Sequence, residues 1–202
     1  VLRGGSSNGA RDEFYQVGAE LLGAAGSDAD CEIVLRCLGA LRACGPGPWH
    51  FTLSAAGALE VLLEKADAGP DRGPRLLAAI RRRASAEAAR LGAEVSPEWG
   101  ALARRLAQGR LEPDDPRLSG IEGGETLVRA ARSLAEAGVA DAAIDLADAA
   151  PRSYYSGFFF SVFGPTGGEP VAGGGRYDGL YGEFGAARPA VGFSLGLEGA
   201  LA

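Results

Sequence analysis

The chain has no methionine, a single histidine and three cysteines among 202 residues. Each scarcity excludes something. Cys31, Cys37 and Cys44 match no zinc-ligand spacing, and an odd count without a secretory context argues against a disulfide framework. They read as reduced residues on the apolar face of one helix, shared with Val34 and Leu41. The lone histidine, His50, in the strand-like run Trp49–Leu53, reads as structural rather than catalytic. Metal and cofactor chemistry therefore have no candidate ligand set. No apolar run approaches the roughly 20 residues needed to span a bilayer. Val1–Gly5 lacks the apolar segment of a secretory signal, so the expected location is cytoplasmic. The absence of methionine, with a first segment that reads as the end of a strand, predicts a fragment of a longer protein. Positive charge is also short: the net charge is −6. The densest basic cluster, Arg81-Arg82-Arg83, sits in an amphipathic helical pattern and reads as a solvated face, which argues against nucleic acid as a partner.

What is present is a soluble-protein composition, 47% hydrophobic and 23% charged, in a chain long enough to bury a sizeable core. Residues 1–22 read as strand, glycine-rich loop, strand. Ser27 and Asp28 offer N-caps for a helix to Cys44, which Gly45-Pro46-Gly47-Pro48 stops. A strand over 49–53 follows, and Ser54 can cap a helix over Ala55–Lys65. From about 67 to 140 the pattern is helical, with helices over Arg75–Leu91, Glu98–Leu106 and Glu125–Ala137. Strands return at Ala143–Leu146, Tyr154–Phe163, Glu169–Gly175 and 190–195, with a short helix near Tyr177–Phe184 and another from Gly196. Successive antiparallel strands with a helical interruption predict an α+β fold: a β-rich core from 1–66 and 141–202, and a helical insertion at 67–140.

The most specific string is Gly173-Gly174-Gly175-Arg176-Tyr177-Asp178-Gly179-Leu180. Three glycines inside a strand give up packing, and the usual reason is close approach of a ligand or of another backbone; a bulge or tight crossover is the alternative. Arg176, Tyr177 and Asp178 add a charge pair and a ring at the strand's exit. On the first strand pair, Gln16, Gly18 and Glu20 share one face by the two-residue period. A carboxylate and an amide there can accept hydrogen bonds from an ammonium or imidazole N–H, and a hydroxyl of Tyr154 or Tyr155 could meet an imidazole nitrogen. Packing or solubility is the competing explanation for these residues.

Four segments, in order, resemble the histidyl-tRNA synthetase family, with its class II synthetase antiparallel sheet. Val1-Leu2-Arg3, a loop and Arg11–Glu20 resemble its second motif. Tyr154-Tyr155-Ser156-Gly157-Phe158-Phe159-Phe160 resembles a histidine-specific YYTGxVF signature. The glycine string resembles GGGRYDGL, and Pro189–Glu198 resembles the third motif, PAVGFGxGLER. The family's first motif and its anticodon-binding domain have no counterpart here. The resemblance implies that positions matching Gln16, Glu20 and the second tyrosine contact histidine. With Arg3, Arg152, Tyr154, Tyr155, Gly174, Gly175, Arg176 and Tyr177 they form the expected histidine-like pocket, the glycines leaving room for the ring.

The departures point away from catalysis. The family's Phe-Arg-x-Glu keeps Arg3 but has Gly5 at its Glu position. The signature arginine falls on Ala150, with Arg152 two residues out of register, and the third-motif arginine falls on Gly199. Adenylate formation needs such cations, each worth about 2.7–4 kcal/mol in comparable sites. This pattern is similar to the regulatory subunits of ATP phosphoribosyltransferase. That resemblance implies no catalytic residues of its own, histidine as a ligand, and a short-form catalytic subunit as partner in a hetero-octamer serving the first step of histidine biosynthesis. A catalytic fragment of histidyl-tRNA synthetase and an amino-acid-binding paralogue with another partner are the alternatives.

Overall fold

The computed structural model describes residues 14–139, 142–165 and 167–201. The expected first strand, its loop and Arg3 lie outside the described residues. The architecture is α+β. Six strands form one sheet in the order β1 (Gln16–Leu22), β6 (Ala190–Gly196), β5 (Ala172–Arg176), β4 (Phe158–Phe163), β2 (His50–Ala55), β3 (Ala142–Ile144). All neighbours are antiparallel except β2 and β3, which pair in parallel.

The two faces of the sheet differ because side chains alternate along each strand. On β4, Phe158, Phe160 and Val162 join the hydrophobic core, together with Phe51 and Leu53 of β2 and Val191, Phe193 and Leu195 of β6. Each fully buried phenylalanine contributes roughly 1.5–3 kcal/mol. Helix α1 (Ser27–Cys44) covers this face through Ile33, Val34, Cys37, Leu38 and Leu41. Burial pushes the Cys37 thiol up to about 12, as expected for an inert core residue. Phe159 and Ser161 belong to the opposite face, which carries the candidate site.

Of the remaining helices, α2 (Ala58–Lys65) follows β2. Next, α3 (Arg72–Arg81), α4 (Ser85–Ala93) and α5 (Pro97–Ala107) pack on one another through Leu76, Ile80, Leu91, Leu102 and Leu106. Helix α6 (Gly124–Glu136) follows a 3-10 turn at Pro116–Gly120 and packs on α1, β2 and β3. Among the described residues no helix is long and apolar enough to cross a membrane.

Several local expectations are corrected. Gly26, not Ser27 or Asp28, occupies the N-cap of α1; the Ser27 hydroxyl accepts a hydrogen bond from Arg129, and Asp28 pairs with the same guanidinium. Ser54 lies inside β2, and Gly57, with φ 73°, starts α2. The expected helix Arg75–Leu91 is two helices. Arg83 adopts φ 61° between them, and its guanidinium reaches 62 positions along the chain to grip Asp145 by two bonds of 2.8 and 2.5 Å. The strand expected from Tyr154 begins at Phe158, because Tyr155 N–H turns back to the Arg152 carbonyl at 3.3 Å. The strand expected from Glu169 begins at Ala172, and the helix expected at Tyr177–Phe184 is a 3-10 turn, Leu180–Phe184.

Candidate amino-acid pocket

Register builds the site. Gln16, Gly18 and Glu20 of β1 stand opposite Gly196, Ser194 and Gly192 of β6, on one face of the sheet. Above them lies a cavity of about 190 Å3, lined by Gln16, Glu20, Tyr154, Tyr155, Tyr177 and Tyr181, with Gly173, Gly192, Ser194, Phe193 and Leu180. Gly192 makes the floor possible. A Cβ there would fall 2.7 Å from Tyr177 Oη and 2.9 Å from Glu20 Cγ, so only glycine lets both side chains lie on the strand.

Four tyrosines form the wall. Tyr155 stacks on Phe159, centroids 5.9 Å apart and planes 8° from parallel. Tyr154 meets both Tyr155 and Tyr177 edge-on, at 5.0 and 5.8 Å. Tyr181 stacks on Tyr177 at 6.4 Å and 23°, and its hydroxyl donates to Glu20 Oε2 at 3.1 Å. Burial, then the neighbouring Tyr154, pushes the Tyr155 hydroxyl up to about 12. Tyr177 is raised further, first by burial and then by the charge of Glu20. Its hydroxyl is buried and makes no hydrogen bond of ordinary geometry.

The other expected pocket residues lie elsewhere. Of the glycine triplet only Gly173 reaches the cavity. A Cβ on Gly174 would fall 2.3 Å from the Gly192 carbonyl oxygen, and one on Gly175 2.7 Å from that of Phe158. Gly174 and Gly175 therefore serve the approach of β5 to its neighbouring strands, the backbone alternative. Arg176 is also outside the cavity. It is 8% exposed and fully engaged: Nε donates to Asp30 Oδ1 at 2.9 Å, and the terminal nitrogens donate to Asp178, at 2.9 Å, and to the carbonyls of Ala24 and Gly26. Asp178 in turn accepts the Ala190 N–H at 2.9 Å. The Arg-Tyr-Asp triplet thus clasps the start of α1 and the start of β6, and only its tyrosine faces the pocket. Arg152 is exposed and does not line the cavity. His50, on β2, lies outside it too. Tyr181 was not among the expected residues; its signal was its place four residues after Tyr177, on the same turn.

Among the described residues the cavity wall carries one carboxylate and no cation, and no group of three or more His, Cys, Asp or Glu could hold a metal. Such a wall suits a small ligand bearing N–H donors and a positive charge.

The sheet, antiparallel but for one pair, has the fold of the class II synthetase-like proteins. A solved ATP phosphoribosyltransferase regulatory subunit/histidyl-tRNA synthetase from Bacillus halodurans superposes with a TM-score of 0.70 at 22% identity, over 94% of this chain and 53% of that one. A chain of the ATP phosphoribosyl transferase (HisG:HisZ) complex from Thermotoga maritima gives 0.68 at 22% identity, over 94% and 68%. More narrowly, the sequence profile of histidyl-tRNA synthetase matches residues 1–200, and the chain belongs to that family. Among curated relatives, the ATP phosphoribosyltransferase regulatory subunit of Anaeromyxobacter dehalogenans (strain 2CP-1) is 34% identical over 214 residues, covering 98% of this chain and 60% of that protein. The chain thus spans about three fifths of that relative's length.

Proposed function

We propose that the protein carrying this chain is a regulatory subunit of ATP phosphoribosyltransferase that binds histidine and forms no adenylate. The observation that carries this reading is the chemistry of the cavity wall: Gln16, Glu20 and four tyrosines, with no cation among the described residues. ATP chemistry needs preorganised positive charge, and this wall offers the reverse. The positions where the family places arginines support the same reading. Ala150 has no charge to offer. Gly199 sits where a Cβ would already fall 3.0 Å from Val171 Cγ1. Arg152, the nearest replacement, stands outside the wall. The resemblance implies the partner, a short-form catalytic subunit in a hetero-octamer, and the regulatory-subunit names of the relatives support a catalytic partner.

Regulation then follows from linkage. Histidine shifts the partner's activity only by binding one state of the assembly more tightly than the other, and the catalytic subunit changes histidine affinity by the same factor. Histidine-dependent ATP–pyrophosphate exchange tests the non-catalytic half of this reading. The full-length protein is expected to show none above background; robust exchange would restore the aminoacylation reading that the family profile carries.

A further inference from the structure

The turn after β5 has a three-residue rhythm: Gly179, Gly182 and Gly185 recur at the same spacing as Tyr181 and Phe184. Residues 180–184 form a 3-10 helix, which has three residues per turn, so Tyr181 and Phe184 share one edge and the glycines another. Gly185, at φ 95°, ends the turn in a conformation that glycine adopts without strain. The turn is tied to the strand: Leu180 N–H donates to the Tyr177 carbonyl at 3.1 Å, and Ala186 N–H donates to that of Tyr181 at 3.2 Å. This fixes Tyr181 above Tyr177, ring on ring.

Two oxygens in that corner matter. Tyr177 Oη is buried and sits over Gly192 beside Glu20. Glu20 Oε2 is taken by the Tyr181 hydroxyl at 3.1 Å. A glutamate side chain otherwise has three free torsions, and a single hydroxyl that holds one oxygen removes much of that freedom. The carboxylate so held lines the cavity beside Tyr177.

We propose that Tyr181 is a positioning residue: its hydroxyl, presented by the 3-10 turn Leu180–Phe184, anchors Glu20 so that the carboxylate is held in place to receive a cationic N–H group of the ligand. The proposal rests on the histidine-binding reading and names the residue that makes its carboxylate effective. The ring of Tyr181 contributes packing; the hydroxyl contributes the anchoring.

Calorimetric titration of L-histidine into the full-length protein, alone and with its catalytic subunit, tests this with four variants. Tyr181→Phe keeps the stack and loses the hydroxyl, and is expected to weaken binding roughly five- to tenfold, the cost of ordering one freed side chain on binding. Tyr181→Leu loses about as much. Glu20→Ala weakens binding more, and in that background Tyr181→Phe costs less than about twofold, because there is no side-chain acceptor left to hold. Unchanged affinity in Tyr181→Phe, a loss confined to Tyr181→Leu, or additive losses in the double variant each overturn the assignment while leaving histidine binding in place. A wild-type protein that gives no binding under either condition overturns both the assignment and the reading beneath it. Circular dichroism melts of each variant separate loss of the anchor from loss of the fold.

Discussion

Arg176 on β5 and Asp30 in the first turn of α1 form a buried pair, Nε to Oδ1 at 2.9 Å, across 146 positions of sequence. The side chains are 10% and 4% exposed. The pair joins the sheet to the helix that covers it, and Asp178 and two backbone carbonyls complete the guanidinium's partners.

Arg176→Met is therefore expected to act on stability. It leaves Asp30 charged and buried, a loss of about 3–5 kcal/mol in comparable pairs. Urea unfolding of the full-length protein should show a lower midpoint at unchanged slope. A variant that keeps its midpoint and loses only ligand affinity would place Arg176 in the pocket instead.

Gly192 of β6 stands opposite Gly175, and Gly174 opposite Phe193, yet Gly192 and Gly174 predict different outcomes. In Gly192→Ala the new Cβ presses on Tyr177 Oη and Glu20 Cγ, so L-histidine affinity should fall by at least about tenfold, or 1.4 kcal/mol. In Gly174→Ala it meets the Gly192 carbonyl oxygen and Phe193 Cα and Cβ, atoms of the neighbouring strand that cannot swing aside, and the cost should be stability, on the order of 1–3 kcal/mol. Parallel calorimetry and urea unfolding of the two variants check the division. Equal effects on binding would contradict it.

Arg83 offers a test of backbone against ion pair. Both Arg83→Ala and Arg83→Gly lose the bonds to Asp145, whose side chain is 9% exposed. At φ 61° alanine also carries the left-handed penalty, roughly 1–2 kcal/mol, which glycine escapes. Arg83→Gly should thus be the more stable of the two by about 1 kcal/mol. Equal stabilities would show that the α3–α4 turn relaxes when the pair is gone.

The tyrosine wall predicts an alkaline limit. Tyr155 titrates at about 12 in the folded chain, held neutral by burial, whereas an unfolded tyrosine titrates near 10. Above pH ~10 the unfolded state releases a proton that the folded state keeps, so stability falls with rising pH until the folded group also ionises. Urea midpoints at pH 9 and pH 11 should differ in the wild type, and the difference should shrink in Tyr155→Phe. An equal drop in both would assign the alkaline loss elsewhere.

What the sequence made legible depended on distance along the chain. The shared face of Gln16 and Glu20 followed from the strand period alone, and the structure places both on the cavity. Tyr154, Tyr155 and Tyr177 stood in recognisable strings. The helix break at Arg83 was not legible: the residue its guanidinium grips there, Asp145, is 62 positions away. Arg176 stood in the same string as Tyr177, but nothing in that string showed that Asp30 would claim the guanidinium. Tyr181 was missed for the same reason: its partner Glu20 is 161 positions distant. Local periods reveal faces; only the fold reveals which charges have already been spent.

The central claim, regulation without catalysis, is tested most directly by the activity of the short-form ATP phosphoribosyltransferase catalytic subunit. It is measured with and without the full-length protein, each over a range of L-histidine. The account predicts that activity rises on addition of the protein and that L-histidine then suppresses it. The same activity and the same histidine sensitivity in both arms would contradict it.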